Sequence, residues 1–159
     1  GTYMKEFEYN LKDHHKIRFV PLSNKSIKKR IIISNPMNHI SVVFKKELVD
    51  KYSNNNGEFY PVINGFEDYA LWIKLIRNEV RFQNFPEVLV FARVGSDMLR
   101  RRGGIKYIYN ELKFRFFILK YLNSLEKIIS FIISLVRIIL FSMPISLKRI
   151  FYLMVRNIL

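Results

Sequence analysis

The chain has 159 residues, half of them hydrophobic, with no cysteine and a formal net charge of +14 from 27 Lys and Arg against 13 Asp and Glu. That length suffices for one domain with a core, and the lack of cysteine excludes disulfides and thiolate metal sites. The charge asks for an anionic partner: nucleic acid, a membrane surface or a diphosphate.

Residues 1–10 mix charged and apolar side chains, Glu6 and Glu8 included, and do not read as a signal segment. Tyr3–Tyr9 reads as a strand and Arg18–Leu22 as a second short extended piece. The polar loop between them holds His14 and His15, whose spacing and single neighbouring carboxylate, Asp13, do not suit a metal. Ser23 or Asn24 caps a predicted helix running to about Ser34, with Ile27, Ile31 and Ile32 inward. Ser41–Phe44 reads as a strand, Lys45–Tyr52 as a helical turn or two, and the Asn-rich stretch before Gly57 as a solvated loop. A helix is expected over Glu67–Asn78, capped by Asn64 or Gly65, because Phe66, Tyr69, Trp72, Ile73 and Ile76 recur at helical spacing. Strands near Val80–Phe82 and Val88–Val94 and a helix over Ile105–Leu122 complete the globular part. Strands alternating with helices predict an α/β architecture.

Glu67 and Asp68 stand out because they place two carboxylates in the first turn of a helix in an acid-poor chain. Acids there complement the helix dipole, and the same dipole keeps a catalytic carboxylate ionised, so both readings stand. Basic residues cluster around Arg100, Arg101 and Arg102, next to Gly103 and Gly104, and again at Lys25, Lys28, Lys29 and Arg30. No zinc finger, helix-turn-helix or ribonucleoprotein signature accompanies them, so nucleic acid is not an expected partner.

Residues 123–159 differ in character from residues 1–122, and two regions are expected on that basis. Ile128–Phe141 is apolar except for Ser130, Ser134 and Arg137, which form one polar stripe, and a similar pattern resumes after Pro144. The apolar run is shorter than the ~20 residues that cross a bilayer. Amphipathic helices lying in a membrane interface are the leading expectation, with a span or plain packing as alternatives.

The blocks Asn35-Pro36-Met37-Asn38-His39, Glu67-Asp68-Tyr69-Ala70-Leu71-Trp72 and Arg101-Arg102-Gly103-Gly104, in this order and at these separations, resemble the C-terminal half of bacterial family 2 glycosyltransferases. The match runs over roughly 20–115. The resemblance implies a partial GT-A-type, Rossmann-like glycosyltransferase fold, followed here by C-terminal amphipathic helices. It also implies that Asp68 is the base and that Glu67 orients the site. By the same resemblance His39 lies near the donor, and Arg100, Arg101 and Arg102 form a basic loop over the diphosphate. His39 as an ordinary structural residue and the arginines as a solvated charge run remain the rival readings. Trp72 either walls the acceptor pocket or belongs to the core.

Family members carry a preceding half with an Asp-x-Asp motif that holds a divalent ion, Mg or Mn, on the donor. No two aspartates of this chain lie within three residues of each other. The expectation is therefore a fragment of an inverting transferase, inactive alone, with no cofactor in this chain and a separate N-terminal half as one partner. Its other partners are a nucleotide-sugar donor, a saccharide or lipid-linked acceptor, and a membrane surface at the cytoplasmic face of the cell membrane. The rival, from another class, is a non-catalytic basic membrane-binding module whose Glu-Asp pair only completes a helix.

Overall fold

The computed structural model describes residues 1–7, 16–94 and 104–142, which form a mixed α/β unit of three strands and five helices. Strand β1, Thr2–Phe7, is central in a sheet of order β2-β1-β3. It pairs antiparallel with β2, Lys16–Arg18, and parallel with β3, Phe85–Arg93. The register of β1 and β3 slips near Thr2 and Tyr3, opposite Pro86, whose ring nitrogen has no hydrogen to give the ladder. Thr2, Met4 and Glu6 alternate inward along β1, while Leu89 and Phe91 of β3 stay exposed.

Helix α1, Asn24–Arg30, is capped by Ser23: its hydroxyl accepts from the Ser26 amide, and Ser26 returns the bond. Ile27, Ile31 and Ile32 are buried, as the spacing predicts. Helix α2, Lys46–Tyr52, matches the expected turns. Helix α3, Glu67–Arg77, is the centre of the core, burying every residue from Tyr69 to Ile73 as well as Leu75 and Ile76. Its start differs from the expectation. Phe66 is the N-cap without a side-chain bond, and Gly65 instead supplies the left-handed turn before it, at φ +80°.

Three further expectations are corrected. Ser41–Phe44 is not a strand: His39–Ser41 is a turn of 3₁₀ helix, closed by the Ser41 amide and hydroxyl both donating to the Asn38 carbonyl. Val80–Phe82 is not a strand either: the Phe82 amide donates to the Asn24 side chain, and no strand of the described residues pairs with it. The second extended piece falls at Lys16–Arg18 rather than Arg18–Leu22.

Helix α4, Ile105–Ile118, starts at Gly104, whose φ of +83° lets the chain turn into the helix, and ends in a 3₁₀ turn, Leu119–Tyr121. Phe114 stacks on Phe66 and touches Tyr69, which fixes α4 against α3. Helix α5, Ser124–Ser142, then packs on α4 through its polar stripe. Arg115 donates to Glu111 and to Ser130, and Arg137 reaches Glu111 from α5. Burial alone opposes the Arg137 charge, but Glu111 overrides it and holds the guanidinium pKa above its ordinary value. No helix among the described residues is long and apolar enough to cross a membrane. The segment after Pro144 lies outside the described residues, as do His14 and His15.

Candidate active site

The start of α3 opens into a cleft of about 410 Å³ lined by His39, Tyr60, Glu67 and Asp68. Three separate segments converge there. Asp68 sits in the first turn of α3, where the amides of the turn point outward and the dipole favours negative charge. Its Oδ1 accepts from the Tyr69 amide at 2.8 Å, and its Oδ2 accepts from Asn35 Nδ2 at 2.8 Å. Asn35 is oriented in turn, since its Oδ1 accepts from the Met37 amide at 3.1 Å. That bond assigns the amide: the oxygen faces the backbone and the nitrogen faces the carboxylate. Asp68 is thus held in one rotamer with lone pairs left for a ligand proton.

Glu67 lines the same cleft, and its carboxylate makes no hydrogen bond to another described residue. Tyr60 lines the cleft as well. Burial and the negative charge of Asp68 both raise the Tyr60 pKa, so its hydroxyl stays protonated and able to donate. The imidazole of His39 meets Tyr60 edge-on, ring centres 5.7 Å apart, and lies 5.9 Å from Trp72. Trp72 itself is fully enclosed and stacked on Phe44. It belongs to the core cluster and lies beneath His39.

The block Asn35–His39 acts as a bracket between sheet and cleft. Asn38 is buried and donates to the Thr2 carbonyl at 2.8 Å, which ties the turn to β1. Asn84, also buried, donates to the carbonyls of Pro21 and Pro36. Backbone so fixed places His39 at the rim of the cleft while Asn35 reaches Asp68. Sequence reasoning missed Tyr60, which follows a solvated loop with no periodic pattern around it. It also gave Asn35 no role, although a short amide just before a proline turn signals a side chain bonding its own backbone. Arg100, Arg101 and Arg102 lie outside the described residues. Among the described residues no three His, Cys, Asp or Glu side chains converge as metal ligands do.

Chemically, a carboxylate fixed at a helix start beside a protonated phenol and an imidazole suits proton abstraction from a bound hydroxyl. Neither a family model nor a solved structure matches the chain. It is 35% identical over 134 residues to the UDP-Gal:alpha-D-GlcNAc-diphosphoundecaprenol beta-1,3-galactosyltransferase of Escherichia coli, covering 83% of this chain and 46% of that one. It is 34% identical over 113 residues to the amylovoran biosynthesis glycosyltransferase AmsE of Erwinia amylovora, covering 71% and 40%. An uncharacterized glycosyltransferase of Haemophilus influenzae is 35% identical over 130 residues, covering 82% and 45%. The chain spans less than half the length of these relatives, and over that span it is similar to glycosyltransferases.

Proposed function

We propose that the chain is the acceptor-side part of an inverting, GT-A-type family 2 glycosyltransferase. In the complete enzyme it passes a sugar from a nucleotide donor, a UDP-sugar by analogy with the Escherichia coli relative, to a lipid-linked or polysaccharide acceptor of the cell envelope. The observation that carries this reading is Asp68, held by Asn35 and the Tyr69 amide at the mouth of the cleft.

Asp68 takes the proton of the acceptor hydroxyl as that oxygen attacks the anomeric carbon. The bond to the diphosphate breaks on the opposite face, so one displacement inverts the centre. Glu67 and Tyr60 bond the acceptor, and His39 borders the donor side. The growing charge on the diphosphate is met by Arg100, Arg101 and Arg102, whose guanidinium forks match phosphate oxygens. The divalent ion expected on the donor would be held by the Asp-x-Asp motif of the preceding half, where it would offset charge on the diphosphate. The membrane-seeking tail holds the enzyme near its lipid-linked acceptor at the cytoplasmic face of the membrane.

The test is Asp68→Asn in the complete transferase, assayed by sugar transfer to acceptor. General-base removal lowers turnover by about 10²–10⁴-fold with folding unchanged. Equal turnover removes Asp68 from the mechanism and favours the rival reading, a basic membrane module without catalysis, for which the apolar outer side of α5 speaks.

A further inference from the structure

We infer that the outer sides of α4 and α5 together form a plate that docks on an anionic lipid bilayer. Within the proposed function this deepens only the membrane contact and is independent of the sugar transfer.

Helix α5 has its polarity turned inside out. Ser130 and Ser134 are buried and Arg137 is tied to Glu111, so the polar stripe faces the protein. At about 100° per residue, Leu125, Ile128, Ile132, Leu135 and Ile139 fall on the opposite side, and each is roughly half to two-thirds exposed. A helix on a water-facing surface places these two stripes the other way round.

Helix α4 continues the same surface. Phe114 points to α3, while Glu111 and Arg115 point to α5. Ile105, Tyr109, Leu112 and Phe116 lie roughly 90° further round from Arg115, on the side away from the core, and all four are exposed. Since Glu111 and Arg115 meet α5, this stripe lies about a quarter-turn from the α4–α5 contact, and the two exposed apolar stripes flank that contact on the outer surface of the helix pair.

Charge decides the occupant. Lys106 and Lys113, seven residues apart, stand on the far border of the α4 stripe, Lys120 follows in the 3₁₀ turn, and all three are exposed. Along the other flank a groove of about 650 Å³ between α1 and α5 is lined by Lys25, Lys28 and Lys29, with Ile129 of α5 on its wall. The only acids of α4 and α5 are Glu111 and Glu126, and each is engaged, the first by Arg115 and Arg137 and the second by Arg77. An apolar plate bordered by lysines on both flanks complements acyl chains beneath anionic headgroups. A second copy of this chain on the plate sets lysine rows of two +14 molecules against each other.

The full chain is sedimented with vesicles of phosphatidylcholine and phosphatidylglycerol in equal parts, and with phosphatidylcholine alone. Binding is expected to the mixed vesicles and to be weak on the zwitterionic ones. Phe116→Asp on α4 and Ile132→Asp on α5 each lower partitioning on the order of tenfold. The pair Lys106→Glu and Lys113→Glu abolishes the preference for anionic lipid while leaving the helical circular dichroism intact. Lack of binding by the folded wild type overturns the inference. So does undiminished binding of Phe116→Asp, which assigns the contact to residues beyond α5. Loss of a vesicle-free dimer in either aspartate variant replaces the bilayer by a second copy. None of these assays contains a sugar donor, so they fail or succeed apart from the Asp68 test.

Discussion

Helices α3 and α5 both segregate apolar from polar residues, yet they do so in opposite senses. In α3 the apolar side is inward, with Trp72 packed against Phe44 and His39 and Ile73 wholly buried. In α5 the polar side is inward, against a charged pair already buried on α4. The comparison teaches that periodicity marks which residues share a side and leaves open which side faces the protein. The neighbour decides. The neighbours of α3 are phenyl rings and isoleucines, whereas α5 meets Glu111 and Arg115, which need partners more than they need apolar cover.

The largest effects should come from emptying each contact. Trp72→Ala removes the largest fully buried side chain and is expected to cost about 3–5 kcal/mol in urea unfolding. Glu111→Ala strips two guanidinium groups of their shared carboxylate and should cost up to about 3–5 kcal/mol. The loss differs in kind: hydrogen exchange should show α5 opening while α3 stays protected. Uniform exchange in both variants breaks the distinction between the helices.

A smaller effect separates them by pH. Tyr69 of α3 is buried, donates its hydroxyl to the Ile31 carbonyl, and has its pKa pushed up to about 12, mainly by burial. The unfolded phenol titrates at about 10, so the folded state holds its proton more tightly. Its contribution is full below pH 10 and is lost as pH rises to about 12. The decline amounts to roughly 2–3 kcal/mol, and it should vanish in Tyr69→Phe. Smallest are changes on and under the outer side of α5. Ile132→Ala should alter stability by less than about 0.5 kcal/mol, against about 2–5 kcal/mol for Ile73→Ala. The Ser134 hydroxyl is buried without a partner, so Ser134→Ala should be neutral or slightly stabilising in thermal melts.

Much of the fold is legible in the residues, for identifiable reasons. Ser23 announces its helix because a cap is local chemistry, and Glu67–Arg77 because Phe66, Tyr69, Trp72, Ile73 and Ile76 recur at helical spacing. Ser41–Phe44 misleads because two bonds to the Asn38 carbonyl outweigh β-propensity in Val42 and Val43. Val80–Phe82 misleads because a strand needs a neighbour, and its amide finds a side chain of α1 instead. At the site, Glu67 and Asp68 are visible as an anomaly of charge. Tyr60 is not, because its place depends on a loop that only tertiary packing positions.

The central position of β1 has a consequence for the order of assembly. Its antiparallel neighbour β2 follows soon after in the chain, but its parallel neighbour β3 comes only some eighty residues later, as the bond between the Gly1 amino group and the Gln83 carbonyl spans 82 positions. Closing so long a loop is entropically slow. During synthesis at about 5–20 residues per second, one edge of β1 waits seconds for its partner. The turn that carries His39 hangs from Thr2 at the start of that same strand. That turn gains its last tie, from Asn84 to the Pro36 carbonyl, only after α3 has emerged with Asp68 already in its first turn.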